Sequence, residues 1–389
     1  MKRKIAIVNQ RYGLEVNGGA ELYTRLIAEK LNRYYDIEVL TSCALDYTNW
    51  DNHYPQGISY VNGIKVRRFT VEKQRDTKKF TEIYYKMLAG NDLNEEWINE
   101  QGPYCPGVID FIKDEKDNYD VFIFVTYLYY LTVKGIASVK EKAILIPTAH
   151  DEAYIKFDIY RDVFTCPKAI IYNTDEEREL VCNHFNNQNI KGDTVGIGID
   201  IPDKINASKF KKAYRVKDYL LYVGRIDIGK NCPELFTFFI EYKKKNKSNL
   251  KLVLMGQEII QVPDHPDILS LGFVSDEDKI NGMAGAKLLV MPSYHESLSM
   301  VVLESMALGV PVVVHGKCDV LTGHCKKSNA GLYYTDYNEF EGCINYLIKH
   351  GDVYDQMNKS AKEYIERNYR WDVIITKFKN LIDYAGENN

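Results

Sequence analysis

The chain has 389 residues, with 50 Lys and Arg against 54 Asp and Glu and a formal net charge of -4. That balance argues against bulk nucleic-acid binding, and the length is a prior for two domains of ordinary size, each able to bury its own core. The eight cysteines are scattered with no C-x-x-C pair, which points to reduced thiols in a cytosolic protein.

Met1-Lys-Arg-Lys-Ile-Ala-Ile-Val-Asn9 opens with basic residues, but its apolar run is far short of a signal-peptide core and reads as a first strand. No apolar stretch approaches the ~18 to 20 residues that span a bilayer, so any membrane contact is expected to be peripheral. Short β-branched or aromatic runs then alternate with longer helical patterns, the mark of parallel sheets wound with helices. The first half predicts strands at 5–9, 37–41, 65–69, 121–125, 143–147 and 169–172. The pattern restarts with strands expected at 219–223, 251–255, 268–271, 288–291 and 310–314. The break falls in Gly196-Ile-Gly-Ile-Asp-Ile-Pro202 and the Lys-rich stretch after it, as a linker would. The expectation is α/β, with domains at 1–198 and 199–370 and a last helical segment, 371–389, crossing back to the first domain.

Candidate site residues follow the expected strands. Asn17-Gly18-Gly19-Ala20-Glu21 opens a helix, and paired glycines let backbone amides approach a phosphate there. No Gly-x-Gly-x-x-Gly occurs, which disfavours a nicotinamide dehydrogenase. His150 stands in Pro147-Thr-Ala-His-Asp-Glu152 just past a strand, a place where a lone His is more often structural than catalytic. Tyr172-Asn-Thr-Asp-Glu-Glu177 reads, at its plainest, as an N-capped helix start. In the second half, Tyr222-Val-Gly224-Arg225-Ile-Asp-Ile-Gly-Lys230 ends a strand with a Gly and then supplies two cations. Asp276-Glu-Asp278 fits a metal-binding Asp-x-Asp literally, but Ser275 before it makes these residues helix-start acids. Cys318, His324 and Cys325 lack a fourth zinc ligand at an ordinary spacing.

The richest stretch runs from Met291 to Val314 and holds Glu296 and Glu304 eight residues apart at a strand-to-helix junction. Ser297 or Ser299 is expected to cap a helix that stops near Gly309, leaving Glu296 in the loop and Glu304 more than one turn inside. Between them, backbone N–H groups at the positive helix end suit an anion such as a diphosphate. Met300, Val301, Leu303, Met306, Ala307 and Leu308 wrap most of the helix in apolar surface, so a Glu there needs a partner.

This stretch resembles, nearly position for position, the Glu-x7-Glu signature of retaining glycosyltransferases of family 4. Gly224-Arg225 with Lys230 is similar to that family's Gly-Arg-x4-Lys motif, Gly18-Gly19 to its Gly-Gly-x-Glu loop, and Tyr172 to Glu177 to a Ser/Asn-x-x-Glu segment. The resemblance implies the GT-B architecture, two Rossmann-like doubly wound domains facing across a cleft. It implies a retaining transfer from a nucleoside-diphosphate sugar, with a UDP-sugar favoured, and no metal or other cofactor. His150, Arg225, Lys230 and Glu296 would be catalytic. Gly18, Gly19, Gly224, Gly272, Phe273, Val274, Leu298, Ser299, Met300 and Glu304 would bind the donor, with the Leu271 to Ser275 loop at the nucleobase. The acceptor would be a saccharide or lipid-linked saccharide, for which the aromatic segments 43–105 and 127–160 offer stacking surfaces. A cytoplasmic place, with peripheral contact at the inner membrane face, would suit that task. The alternative is a catalytically silent relative that supports a partner enzyme.

Overall fold

The structure is a computed structural model that describes residues 2–387. Met1, Asn388 and Asn389, at the outer ends of the segments expected at 1–198 and 371–389, lie outside the described residues. The chain packs as two units, one holding the described residues up to Ile197 and from Ile374 onward, the other Gly198–Val373.

The first unit carries eight strands: β1 (Lys4–Val8), β2 (Asp36–Ser42), β3 (Gly57–Val61), β4 (Ile64–Phe69), β5 (Val121–Val125), β6 (Ala143–Ile146), β7 (Ala169–Tyr172) and β8 (Lys191–Thr194). They lie in the order β3-β4-β2-β1-β5-β6-β7-β8. Only β3 runs antiparallel to its neighbour. Central strands such as Val121–Val125 are buried at every position, as strands covered by helices on both faces must be. The chain winds outward from β1 through β2 and returns to β5 on the other side of β1, which makes the β1/β5 boundary a topological switch point.

The second unit restarts the pattern with β9 (Tyr219–Val223), β10 (Lys251–Met255), β11 (Ile268–Ser270), β12 (Leu288–Met291), β13 (Val312–His315) and β14 (Gly331–Tyr334). Its order is β11-β10-β9-β12-β13-β14, parallel throughout. This is the strand order of the dinucleotide-binding Rossmann fold, and its switch point lies between β9 and β12. The last helix, Trp371–Gly386, packs from Ile374 with the first unit, where Arg3 Nη1 meets Asp383 Oδ1 at 2.9 Å and Lys377 Nζ donates to the Thr194 carbonyl at 2.6 Å.

Three strands add to those expected. Gly57–Val61 forms a hairpin with β4 through Asn62 and Gly63, both at positive φ, a two-residue turn whose Asn-Gly sequence is the usual signal. Lys191–Thr194 and Gly331–Tyr334 are short edge strands, the first mostly polar. The strand expected from 310 starts at Val312, because the Val310 amide turns back to the Ser305 carbonyl at 2.9 Å and Pro311 has no N–H to give a ladder.

Candidate functional site

In the second unit the site is built on the ends of β9 and β12. Beyond Val223, the Gly224 amide donates to Met255 O at 2.9 Å, and the Gly256 amide donates to Gly272 O at 2.8 Å. Gly224, Gly256 and Gly272 all take positive φ, and a Cβ on Gly256 would collide with the Gly224 carbonyl. The glycines thus let three strand ends run side by side without side chains between them.

The turn that follows is organised by Asp227. Its Oδ2 lies 3.0 Å from Arg225 Nε, and its Oδ1 accepts from the Lys230 amide at 2.7 Å. The Tyr222 hydroxyl donates to the Arg225 carbonyl at 2.5 Å. Lys230 then reaches across to the β12 loop, where its Nζ meets Glu296 Oε1 at 2.7 Å. A cation from one strand end and a carboxylate from its neighbour meet at the switch point, where open α/β sheets bind ligands.

The Met300–Ala307 helix begins at Ser299, whose backbone is left-handed at φ 61 and whose carbonyl accepts from the Val302 amide at 3.0 Å. The expectation that Ser297 or Ser299 caps this helix is corrected for Ser299: it stands at the cap position but its side chain makes no cap hydrogen bond, its backbone being left-handed and not in the extended conformation of a capping residue. Glu304 sits one turn inside, gripped by Lys279 Nζ at 2.8 Å to Oε1 and 3.1 Å to Oε2. This is the partner its apolar helix requires. Gly309, at φ +74, ends the segment.

Two further residues brace these loops and carry little sequence signal. His324 is fully buried; its Nε2 lies 2.8 Å from the Leu298 carbonyl and its Nδ1 3.1 Å from the Tyr364 hydroxyl. Burial pushes its pKa down to about 4, so the ring is neutral near pH 7. Nε2–H donates to the carbonyl, and Nδ1 is left to accept from Tyr364. Nε2 thus holds the Leu298 carbonyl, while Nδ1 ties the ring to Tyr364 of the Gly351–Asn368 helix. Glu234 is the second brace. Its Oε1 accepts from Asn231 Nδ2 at 2.8 Å and lies 3.2 Å from His315 Nε2, while its Oε2 accepts from the Tyr294 hydroxyl at 3.0 Å. It ties the start of the Cys232–Lys245 helix to the Glu296 loop and the end of β13.

At the sheet edge, Gly272 is followed by Phe273, an aromatic ring 63% exposed, and by Val274. Asp276, Glu277 and Asp278 occupy the first turn of a helix capped by Ser275 Oγ, which accepts from the Asp278 amide at 3.1 Å.

In the first unit, Gly18 precedes the Gly19–Leu31 helix, and a Cβ on it would strike the Glu21 carboxylate. Glu21 is buried against Arg11 Nε at 3.0 Å and Gln10 Nε2 at 2.9 Å, so it holds the glycine loop from behind. Gly19 has open space where a Cβ would project. His150 follows β6 in a loop fixed by its backbone. Thr126 and Thr148, at the ends of β5 and β6, both take positive φ, and the Tyr127 amide donates to the Pro147 carbonyl at 3.0 Å. Glu177 completes the frame: its two carboxylate oxygens accept the amides of Ala149 and Asn173. Glu177 is buried, and burial pushes its pKa up to about 8 against the pull of those two donors.

The geometry thus joins Lys230 to Glu296, sets Arg225 beside them through Asp227, and places Glu304 apart on Lys279. In the first unit, Gly18 and Gly19 stand at the start of the Gly19–Leu31 helix, and His150 lies in the loop after β6.

Residues 203–364 match the family described as Glycosyl transferases group 1. The chain is 25% identical to an uncharacterized glycosyltransferase of Methanocaldococcus jannaschii, over 99% of each chain. Among solved structures it superposes on sucrose-phosphate synthase of Thermosynechococcus elongatus with a TM-score of 0.72, at 14% identity over 98% of each chain. It superposes on the Anabaena protein HepE, solved in complex with UDP and glucose, with a TM-score of 0.71 at 14% identity over 98% of this chain and 99% of that one. The fold is that of GT-B glycosyltransferases, with Rossmann-like units in series. Fold and comparisons together support a glycosyltransferase.

Proposed function

We propose that the protein is a retaining glycosyltransferase that moves a sugar from a nucleoside-diphosphate sugar, a UDP-sugar by preference, to a saccharide or lipid-linked saccharide acceptor. The observation that carries this reading is the meeting of Lys230 with Glu296, beside Arg225, at the β9/β12 switch point. When the bond from the sugar to the β-phosphate breaks, negative charge grows on the phosphate. Arg225 can fork onto two of its oxygens and Lys230 acts as a point charge, which is the work a metal would otherwise do. Glu296 then holds a sugar hydroxyl and Glu304 the ribose hydroxyls, while the N-terminus of the Met300–Ala307 helix faces the diphosphate. Phe273 and the backbone of Gly272 and Val274 lie at the nucleobase. On the first unit, Gly18 and Gly19 offer backbone amides suited to a phosphate, and His150 offers a polar group suited to a sugar. The released phosphate takes the proton of the acceptor hydroxyl as the new glycosidic bond forms.

The complex of HepE with UDP and glucose supports the choice of nucleotide. Among the described residues no helix is long and apolar enough to cross a membrane. Action at the cytoplasmic face, with peripheral contact to reach a lipid-linked acceptor, fits that observation.

The test is release of UDP from a panel of UDP-sugars in buffer containing EDTA, with the anomeric configuration of the product read by proton NMR. Release that EDTA does not slow, with retained configuration, is expected. Inversion, or a need for divalent metal, would remove those parts of the reading. Absence of both release and binding would favour a silent binding subunit.

A further inference from the structure

Among the described residues four glutamates are buried, and each is compensated. Glu21 faces Arg11, Glu38 faces Lys65 and Arg67, Glu100 faces Lys73 and Lys79, and Glu177 takes two backbone amides. That is the ordinary requirement for a carboxylate removed from water. Glu152 departs from it. Its side chain is only 18% exposed, yet no lysine or arginine among the described residues pairs with it. Its Oε1 accepts from the Tyr127 hydroxyl at 2.8 Å, and its Oε2 stands 3.8 Å from His150 Nδ1, too far for a hydrogen bond. The Tyr127 bond fixes the carboxylate, and the backbone fixes the loop, since the Glu152 amide donates to the His150 carbonyl at 2.8 Å. The result is a held carboxylate oxygen with unused acceptor capacity beside the candidate catalytic histidine.

We propose that Glu152 is a substrate ligand, whose Oε2 accepts a hydrogen bond from a sugar hydroxyl presented beside His150. This rests on the glycosyltransferase reading above and adds a contact to it. The hydroxyl belongs either to the donor sugar or to the acceptor, and both offer the same chemistry. Burial pushes the Glu152 carboxyl up to about 7, so a hydroxyl donor is gripped more firmly as the group ionises through neutrality. The titratable groups around it are Tyr127 from the loop after β5, His150 from its own loop, and Tyr154 and Tyr160 from the turns that follow.

The experiment compares the full wild-type chain with Glu152→Gln. UDP affinity is measured by calorimetry, UDP release from UDP-glucose, UDP-galactose and UDP-N-acetylglucosamine is measured in water, and transfer is measured with a soluble alkyl glucoside. UDP affinity is expected to stay within about 2-fold, because UDP lacks the transferred sugar, its ribose hydroxyls are assigned to Glu304, and the fold is kept. If the donor sugar supplies the hydroxyl, release in water falls by about 10- to 100-fold, the span of one hydrogen bond to a charged group. If the acceptor supplies it, release in water is kept and KM for the glucoside rises by the same factor. In the wild type the affected rate declines as pH falls through about 7, and this limb disappears in the variant. Unchanged release and transfer overturn the proposal, as does an acidic limb that persists in the variant. Should the Gln variant fail to fold, Glu152→Asp, which withdraws the carboxylate by one methylene, is compared in the same way. A wild-type chain that neither binds UDP nor releases it removes the underlying reading and this proposal with it.

Discussion

Lys230 Nζ lies 2.7 Å from Glu296 Oε1, although the two residues come from different strand ends and 66 positions separate them in the chain. The pair is half-buried, with side chains 30% and 13% exposed, and Asp227 fixes its cationic side by binding the Lys230 amide. A lysine so placed has two further N–H donors for a phosphate. Lys230→Met is therefore expected to lower kcat/KM for the donor by roughly 10²- to 10³-fold, as loss of one preorganised donor does. Arg225→Lys keeps the charge but loses the fork, and a smaller loss is expected. Steady-state kinetics on both variants checks this, and equal activity in all three proteins would contradict it.

Glu177 makes a different demand. Its carboxylate is the acceptor for the buried amides of Ala149 and Asn173, so Glu177→Ala leaves two donors unpaired. At about 1 to 3 kcal/mol for each, the variant should lose roughly 2 to 6 kcal/mol in urea unfolding, with activity falling through misplacement of His150.

The glycines divide into structural and functional ones. Gly256→Ala would drive a Cβ into the Gly224 carbonyl at a backbone of φ +140, and a loss of about 1 to 3 kcal/mol in stability is expected. Gly19→Ala meets nothing within 4 Å and stands at the first residue of a helix, so stability should stay within about 0.5 kcal/mol. If the Gly18-Gly19 loop admits a phosphate, the same variant weakens donor turnover. Thermal unfolding and donor kinetics, measured together, separate the two effects.

His324 gives the fold an acid limit. Its pKa is lowered from 6.5 to about 4 by burial, so between those values the unfolded chain binds a proton that the folded chain refuses. Its contribution to stability is complete above pH 6.5 and is lost as pH falls toward 4, by about 3 kcal/mol in all. His324→Asn removes the titration. Urea unfolding at pH 7.5 and 4.5 should show a smaller acid loss in the variant than in the wild type, and identical acid losses would count against this assignment.

Much of this molecule is legible in its sequence because the determining interactions are local. The buried strands of both sheets show as apolar β-branched runs, and Glu296 and Glu304 are placed by a loop and helix that Pro292 and Gly309 punctuate. The partners are not legible in the same way. Lys279 follows three acids and reads as the surface of a helix start, yet it closes on Glu304 from 25 residues away. His324 reads as a lone histidine or a stray zinc ligand, and only packing brings it to the Leu298 carbonyl, 26 residues back. Ser299 looks like a side-chain cap, but it takes a left-handed backbone and makes no cap hydrogen bond. Strand β8, Lys-Gly-Asp-Thr, has no apolar pattern, since only its pairing with β7 makes it a strand.

The central claim, a nucleotide-sugar site on the second unit, is tested most directly by calorimetric titration with UDP, GDP and ADP in metal-free buffer, on the wild type and on Glu304→Ala. One preferred nucleotide, UDP, should bind the wild type, and the variant should bind it about 10- to 100-fold more weakly, because a hydroxyl-to-carboxylate hydrogen bond contributes ~1.5 to 3 kcal/mol. Binding of none of the three, or equal binding to wild type and variant, would contradict the account.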